Sequence, residues 1–244
     1  MENFNLNPAQ EIPERSTSGV ISHAFNLYKG IFAYALLATV LYIVLNSLLG
    51  ALFPFDSQEF MRQVQQSGGD FSRLDPELVS QYSTMSVVSG IIGILLSPLL
   101  AGVIYIASKY HNGHRPEFRD LFVYYRQNFG QVLLYGLLSG IILSFSFSLC
   151  FLPGLFVAPL FMLGYPIVLF ENATAIEAIK KSVNIAKENY GAFLGIFILS
   201  ALISLAGLLL CFVGIILTYP FIFVAMYSAY CAFVGRPRPI YGNI

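Results

Sequence analysis

The stretch Asn189–Gly235, NYGAFLGIFILSALISLAGLLLCFVGIILTYPFIFVAMYSAYCAFVG, contains no Asp, Glu, Lys, Arg or His. A helix that crosses the hydrocarbon core of a bilayer needs roughly 20 predominantly apolar residues. This run holds two such helices, and Leu210-Cys211-Phe212-Val213-Gly214 near its middle supplies the corner between them. Lipid offers no partner to exposed backbone N–H and C=O groups, so a spanning segment of this kind satisfies them internally, as a helix. The stretch therefore predicts a transmembrane hairpin.

The same criterion extends outward. Gly30–Phe55 and Leu78–Ser108 are also free of charged residues and His, and each holds one span. Gln127–Phe170 holds two, turning at Leu149-Cys150-Phe151-Leu152-Pro153-Gly154. Pro153 suits the first turn of a helix, where its missing N–H costs nothing. Six transmembrane helices result, and the fold class is all-α, a polytopic membrane protein. Composition agrees: 57% of the residues are hydrophobic and 11% charged, against about 25% charged in an ordinary soluble domain. The formal net charge is zero, which gives no reason to expect a nucleic-acid partner.

Lys and Arg set the orientation. With the N-terminus inside, the cytoplasmic segments carry Arg15, Lys29, Lys109, Arg115, Arg119, Arg126, Lys180, Lys181, Lys187, Arg236 and Arg238, and the outer segments carry Arg62 and Arg73. Both termini are expected in the cytoplasm. The polar residues 1–19 lack the basic start and short apolar core of a signal peptide and are expected to form a cytoplasmic tail, with a second at 236–244.

Internal repetition is expected as well. Leu149-Cys150-Phe151-Leu152 returns 61 positions later as Leu210-Cys211-Phe212-Val213, and Asn128-Phe129-Gly130 returns as Asn189-Tyr190-Gly191. Pro98, Pro159 and Pro220 keep the same interval, and Phe25-Asn26-Leu27-Tyr28-Lys29 resembles Val183-Asn184-Ile185-Ala186-Lys187. The expected unit is a short amphipathic helix followed by a transmembrane hairpin. It is repeated at about 20–110, 115–171 and 174–235 within a membrane domain at 20–235. A hairpin crosses twice, so the three repeats enter from one side and are parallel. The first carries an extracytoplasmic insert at 53–82, where Asp56 and Glu59 predict a short helix. Ser67-Gly68-Gly69-Asp70 predicts a turn, and Asp75-Pro76-Glu77 a helix start.

Two amphipathic stripes are legible. Ile176, Ile179, Val183, Ala186 and Tyr190 fall at helical spacing behind a Thr174–Glu177 capping box, opposite Lys180, Lys181 and Lys187. Phe118, Leu121, Phe122, Tyr125 and Phe129 form a second stripe flanked by Arg115, Arg119 and Arg126. Basic amphipathic helices beside spans are drawn to anionic headgroups, so these residues are expected at the interface.

Small residues predict where spans approach each other. Gly136, Gly140, Ser144 and Ser148 recur every four positions, Gly191 and Gly195 open a later span, and Ser86, Gly90, Gly93, Ser97 and Ala101 line an earlier one. Pro98, Pro159 and Pro220 remove helical donors from the carbonyls of Ile94, Leu155 and Ile216, which predicts kinks; these either shape the hairpins or open a cavity. Asn46, the most polar side chain deep in a span, is expected to hydrogen-bond between helices.

No catalytic, cofactor or metal site is expected. His111-Asn112-Gly113-His114 offers two histidines where zinc takes three or four ligands, His23 is far away in sequence, and the histidines are expected to be incidental to a loop. Cys150, Cys211 and Cys231 sit in apolar surroundings. Asn172-Ala173-Thr174 matches a glycosylation sequon, but on the cytoplasmic side. No charged residue stands in mid-span, where such residues usually serve transport or proton relay.

Glu177-Ala178-Ile179-Lys180-Lys181-Ser182, then Lys187-Glu188-Asn189-Tyr190, Gly214 and Tyr219-Pro220 resemble the membrane domain of glycerophosphoryl diester phosphodiesterases. The resemblance covers roughly residues 20–235 and extends to uncharacterised bacterial multi-pass membrane proteins. It implies a bacterial inner-membrane protein. In those enzymes the membrane domain accompanies a soluble catalytic barrel, and no barrel is expected before the chain ends at Ile244. Chains of this look are also labelled carotene oxygenases, whose iron site needs more histidines than the three here. The expected function is a non-enzymatic scaffold or accessory subunit that handles lipid, with the bilayer and a protein or lipid as partners. The alternatives are a carrier for an uncharged or amphipathic solute and, last, a lipid-active membrane enzyme.

Overall fold

Hydropathy and backbone satisfaction together make every regular element helical. The computed structural model describes residues 11–53, 55–149, 151–207 and 213–237, and no strand occurs among them. Five helical segments are long and apolar enough to cross a membrane: Thr17–Gly50, Pro76–His111, Phe129–Leu149, Leu152–Phe170 and Gly214–Phe233. The number rises to six if the bent pair Ala175–Glu188 and Tyr190–Ala206 forms one span. The apolar corners at Cys150 and at Leu210–Phe212, with both cysteines there, lie outside the described residues.

The chain divides into two compact units, Leu41–Leu96 and Met1–Val40 with Ser97–Ile244. Helix α1, Thr17–Gly50, and helix α3, Pro76–His111, each contribute to both. In the smaller unit, Asp56 caps α2, Ser57–Gln66, by accepting hydrogen bonds from the backbone N–H groups of Gln58 and Glu59. Gly68 and Gly69 then take positive φ, 65° and 87°, and form the turn. The chain re-enters a helix at Pro76, where the Asp75 side chain accepts from Glu77 N. Gln63 Oε1 accepts from the Asp75 backbone at 3.0 Å, and Phe60 stacks on Tyr82 with centroids 4.5 Å apart; together they tie α2 to the start of α3.

Glu59 accepts from Arg62 and Gln63 at 2.8 and 2.9 Å. These two hydrogen bonds, Arg62 first, hold its carboxyl below the usual carboxylate range. A depressed pKa contributes stability above the unfolded-state value, about 4.3, and that contribution is lost as pH falls through the folded-state value. Acidification below about pH 4.3 is therefore expected to weaken α2. Hydrogen exchange corrected for intrinsic rates should show this, and Glu59→Gln should reduce the pH dependence, the Asp56 cap remaining; equal protection in both chains across that range would refute it.

In the larger unit, α3 ends at His111 and the chain passes through a short 3₁₀ turn, Phe118–Phe122, into the one-turn α4, Val123–Arg126. The amphipathic helix expected over Phe118–Phe129 is thus broken into two pieces. Asp120 Oδ2 accepts from Glu117 N at 2.6 Å and from Lys109 Nζ at 2.9 Å, which fixes the start of the 3₁₀ turn. Asn128 at φ 53° then separates α4 from α5, Phe129–Leu149. Helix α5 packs against α6, Phe151–Val157, a 3₁₀ turn at Ala158–Phe161 follows, and α7, Gly164–Phe170, completes the descending arm.

Helix α8, Ala175–Glu188, begins with the Thr174–Glu177 capping box and meets α9, Tyr190–Ala206, at a bend of 104°. Its buried face is lined by small side chains. Ala175, Ala178, Ser182 and Ala186 are buried, whereas Ile176 is 55% exposed. Small side chains win that face because α8 lies against the Ala158–Phe161 turn. There Ser182 Oγ donates to Leu160 O and accepts from Leu163 N. A large residue at 178 or 182 would hold the backbones apart. Helix α10, Val213–Thr218, ends before Pro220, and α11, Phe221–Phe233, returns against α9.

Candidate functional site

Helices α1, α3 and α11 bring four polar side chains and a thiol into one buried cluster. The apolar positions Val20, Ala24, Leu27 and Ile31 define the inward face of α1, and His23 lies on that face with 5% exposure. His111, in the last turn of α3, is fully buried. Their rings meet edge to face, 5.0 Å between centroids. Each imidazole is anchored by α11: His23 Nδ1 shares a hydrogen bond with Ser228 Oγ at 2.9 Å, and His111 Nδ1 with Tyr227 OH at 2.8 Å. Cys231, one turn further along α11, places its sulfur 3.9 Å from His111 Nδ1.

The surroundings close the cluster. Arg236 donates to the His111 carbonyl and to Asn112 Oδ1, and Arg15 donates to the carbonyl of Ala232. Tyr230 donates to Glu171 Oε1 at 3.2 Å, and Lys181 donates to Glu171 Oε2 at 2.5 Å, so α7, α8 and α11 are joined through one carboxylate. Cys231 is 1% exposed. A thiol and an imidazole so enclosed offer no approach to a substrate, and 3.9 Å is long for a nucleophile–base hydrogen bond. Among the described residues no group of three or more His, Cys, Asp or Glu is placed to hold a metal ion.

His111 is therefore not incidental to a loop, although His114 does lie in one. His23 and His111 are packed core residues joined across the fold, and His114 alone is exposed. The partners of the cluster stand 205 and 116 positions apart in sequence, and spacing along the chain carries no trace of them. One signal was available: His23 occupies the apolar stripe of α1, and a polar residue there must be buried with a partner.

The other sequence candidates fall as follows. Pro98 lies inside the continuous helix α3, Pro159 within the 3₁₀ turn, and Pro220 just before α11; all three are buried. Gly136 is a close-packing position, since a Cβ there would come within 3.1 Å of the Tyr165 hydroxyl, while a Cβ at Gly140 would meet open space. Ser144 and Ser148 are exposed, so the packed face of α5 is Val132, Tyr135, Ser139 and Ser146 instead. Asn46 is half-buried, and no hydrogen bond of its side chain forms among the described residues. Arg115, Arg126, Lys180 and Lys187 are exposed, Arg119 pairs with Glu117, and Lys181 with Glu171.

Two grooves open on the larger unit. One, of about 570 Å³, runs along α7 and α8 past Glu171, Glu177, Lys180 and Lys181. Its charges balance, and Lys181 is already paired. The second, of about 420 Å³, is apolar and lies between α1, α9, α10 and the start of α11. No family model, curated protein or solved structure matches this chain.

Proposed function

We propose that this chain is a non-enzymatic, integral protein of the bacterial inner membrane, a scaffold or accessory subunit that handles lipid. The observation that carries the reading is the closure of the His23–His111–Cys231 cluster. The groups best suited to chemistry are buried and spent on holding three helices together, while large apolar side chains such as Leu48, Ile141, Phe145, Leu152 and Leu202 stay exposed. Surface of that kind suits contact with lipid or with another membrane protein.

The reading includes six spans in three parallel repeats, with both termini cytoplasmic. Support for the repeat comes from hydrogen bonds and burial in register. Asn128 O accepts from the N–H groups of Gln131 and Val132, and 61 positions later Asn189 O accepts from Ala192 and Phe193. Val132, Tyr135 and Ser139 are buried in α5, as are their counterparts Phe193, Ile196 and Ser200 in α9. In α1, Val20, Ala24 and Tyr28 are buried, matching Ala178, Ser182 and Ala186 of α8 at an interval of 158 positions. The first repeat then differs in that its amphipathic part and its span form one uninterrupted helix. A carrier would need the proline positions to face a passage, whereas Pro98, Pro159 and Pro220 are packed.

Affinity purification in mild detergent tests the reading. A stoichiometric membrane-protein partner or co-purifying lipid is expected; a folded protein that carries neither would overturn it.

A further inference from the structure

The apolar groove has a feature that the lipid-facing surface alone does not explain. Its walls are Phe25, Phe32, Ile203, Leu217 and Phe221, and a single cation, Lys29, stands among them. The groove exists because Pro220 cannot donate to the helix and α10 stops at Thr218. Tyr28 OH donates to the Leu217 carbonyl there, and Thr218 Oγ1 donates to Ser204 O at 2.7 Å. The polar backbone of the break is thereby satisfied from the sides, and the groove itself is left almost wholly apolar.

Lys29 is exposed, and its Nζ stands 4.8 Å above the centroid of the Phe25 ring. It is the last charged residue before the uncharged stretch Gly30–Phe55. No ion pair of Lys29 forms among the described residues, although Lys109 and Lys181 are both paired with carboxylates. An apolar trough with one cation at the boundary of an uncharged segment complements an amphiphile with a hydrocarbon tail and an anionic head. A long Lys side chain lies along such apolar surface while its ammonium reaches the headgroup level.

We propose that this groove is a binding site for an anionic phospholipid of the surrounding bilayer, with one acyl chain along Phe32, Ile203 and Leu217 and the headgroup phosphate on Lys29. The proposal rests on the lipid-handling reading above and adds the place and the charge of the ligand. A volume of about 420 Å³ lies in the range of small-molecule sites, roughly 300–1,000 Å³, and suits part of a chain rather than a whole lipid. Selectivity would come from Lys29 and retention from the walls.

Native mass spectrometry of the full chain, loaded from nanodiscs of equal phosphatidylglycerol and phosphatidylcholine, separates these contributions. Wild type should retain phosphatidylglycerol preferentially. Lys29→Gln should lower that preference about fivefold, the worth of one basic residue near an anionic surface, and Lys29→Arg should keep it. Ile203→Trp, which fills the trough from a half-buried position, should lower retention of both lipids. Gel filtration of each variant shows that it is folded. A wild type that retains lipid with a preference unchanged by Lys29→Gln overturns this assignment alone. A wild type that retains no lipid overturns the lipid-handling reading along with it.

Discussion

Asp120→Ala is expected to destabilise the protein by about 3–5 kcal/mol, the usual result of removing one partner from a buried ion pair. Asp120 has 7% of its side chain exposed and Lys109 13%, and their atoms meet at 2.9 Å. The same carboxylate accepts the Glu117 backbone N–H at 2.6 Å, so its loss also frees the turn between α3 and α4. Lys109 would keep only Glu117, at 3.9 Å and half exposed. Thermal unfolding in detergent measures the effect. The double variant Lys109→Met, Asp120→Leu should recover much of the loss, because replacing both members with apolar residues of similar size is often neutral. A single variant as stable as the wild type would show that the pair holds nothing together.

Gly102→Ala should cost at least about 1–3 kcal/mol, the range for overpacking a filled core. The reason is geometric. A Cβ at Gly102 would fall on the backbone carbonyl of Leu121, and backbone cannot swing aside as a side chain would. Leu121 itself is fully buried, so the segment that would have to move is anchored at both levels. Gly140→Ala supplies the contrast. It meets open space, and an alanine in place of a mid-helix glycine gains about 0.5–1 kcal/mol. Comparable unfolding temperatures for the two variants would refute the close approach of Leu121 to α3.

Both effects act on a joint that the sequence announces only in part. Apolar run length and the absence of charge identified the helices, since these are properties of single segments and are read directly along the chain. The capping residues Asp56, Asp75 and Thr174 likewise mark helix starts that the structure keeps. The 3₁₀ start of the segment at Phe118–Arg126 was not legible, because the Asp120 carboxylate there is held by Lys109, a residue on another element. The amphipathic stripe of α8 did not tell which side packs on the protein: of its residues in α8 only Ala186 is buried. There α8 lies against the neighbouring 3₁₀ turn through alanine and serine. The histidine cluster was legible only as a polar residue on the stripe of α1. Its partners on α3 and α11 come together through tertiary packing alone.

The enclosure of Cys231 gives the protein a reporter of its own breathing. With 1% exposure and an imidazole beside it, the thiol meets an alkylating reagent only when the packing around α11 opens. In a chain with Cys150 and Cys211 replaced, the labelling rate at Cys231 at saturating reagent equals the rate of that opening. The histidine cluster can thus be timed without adding a probe.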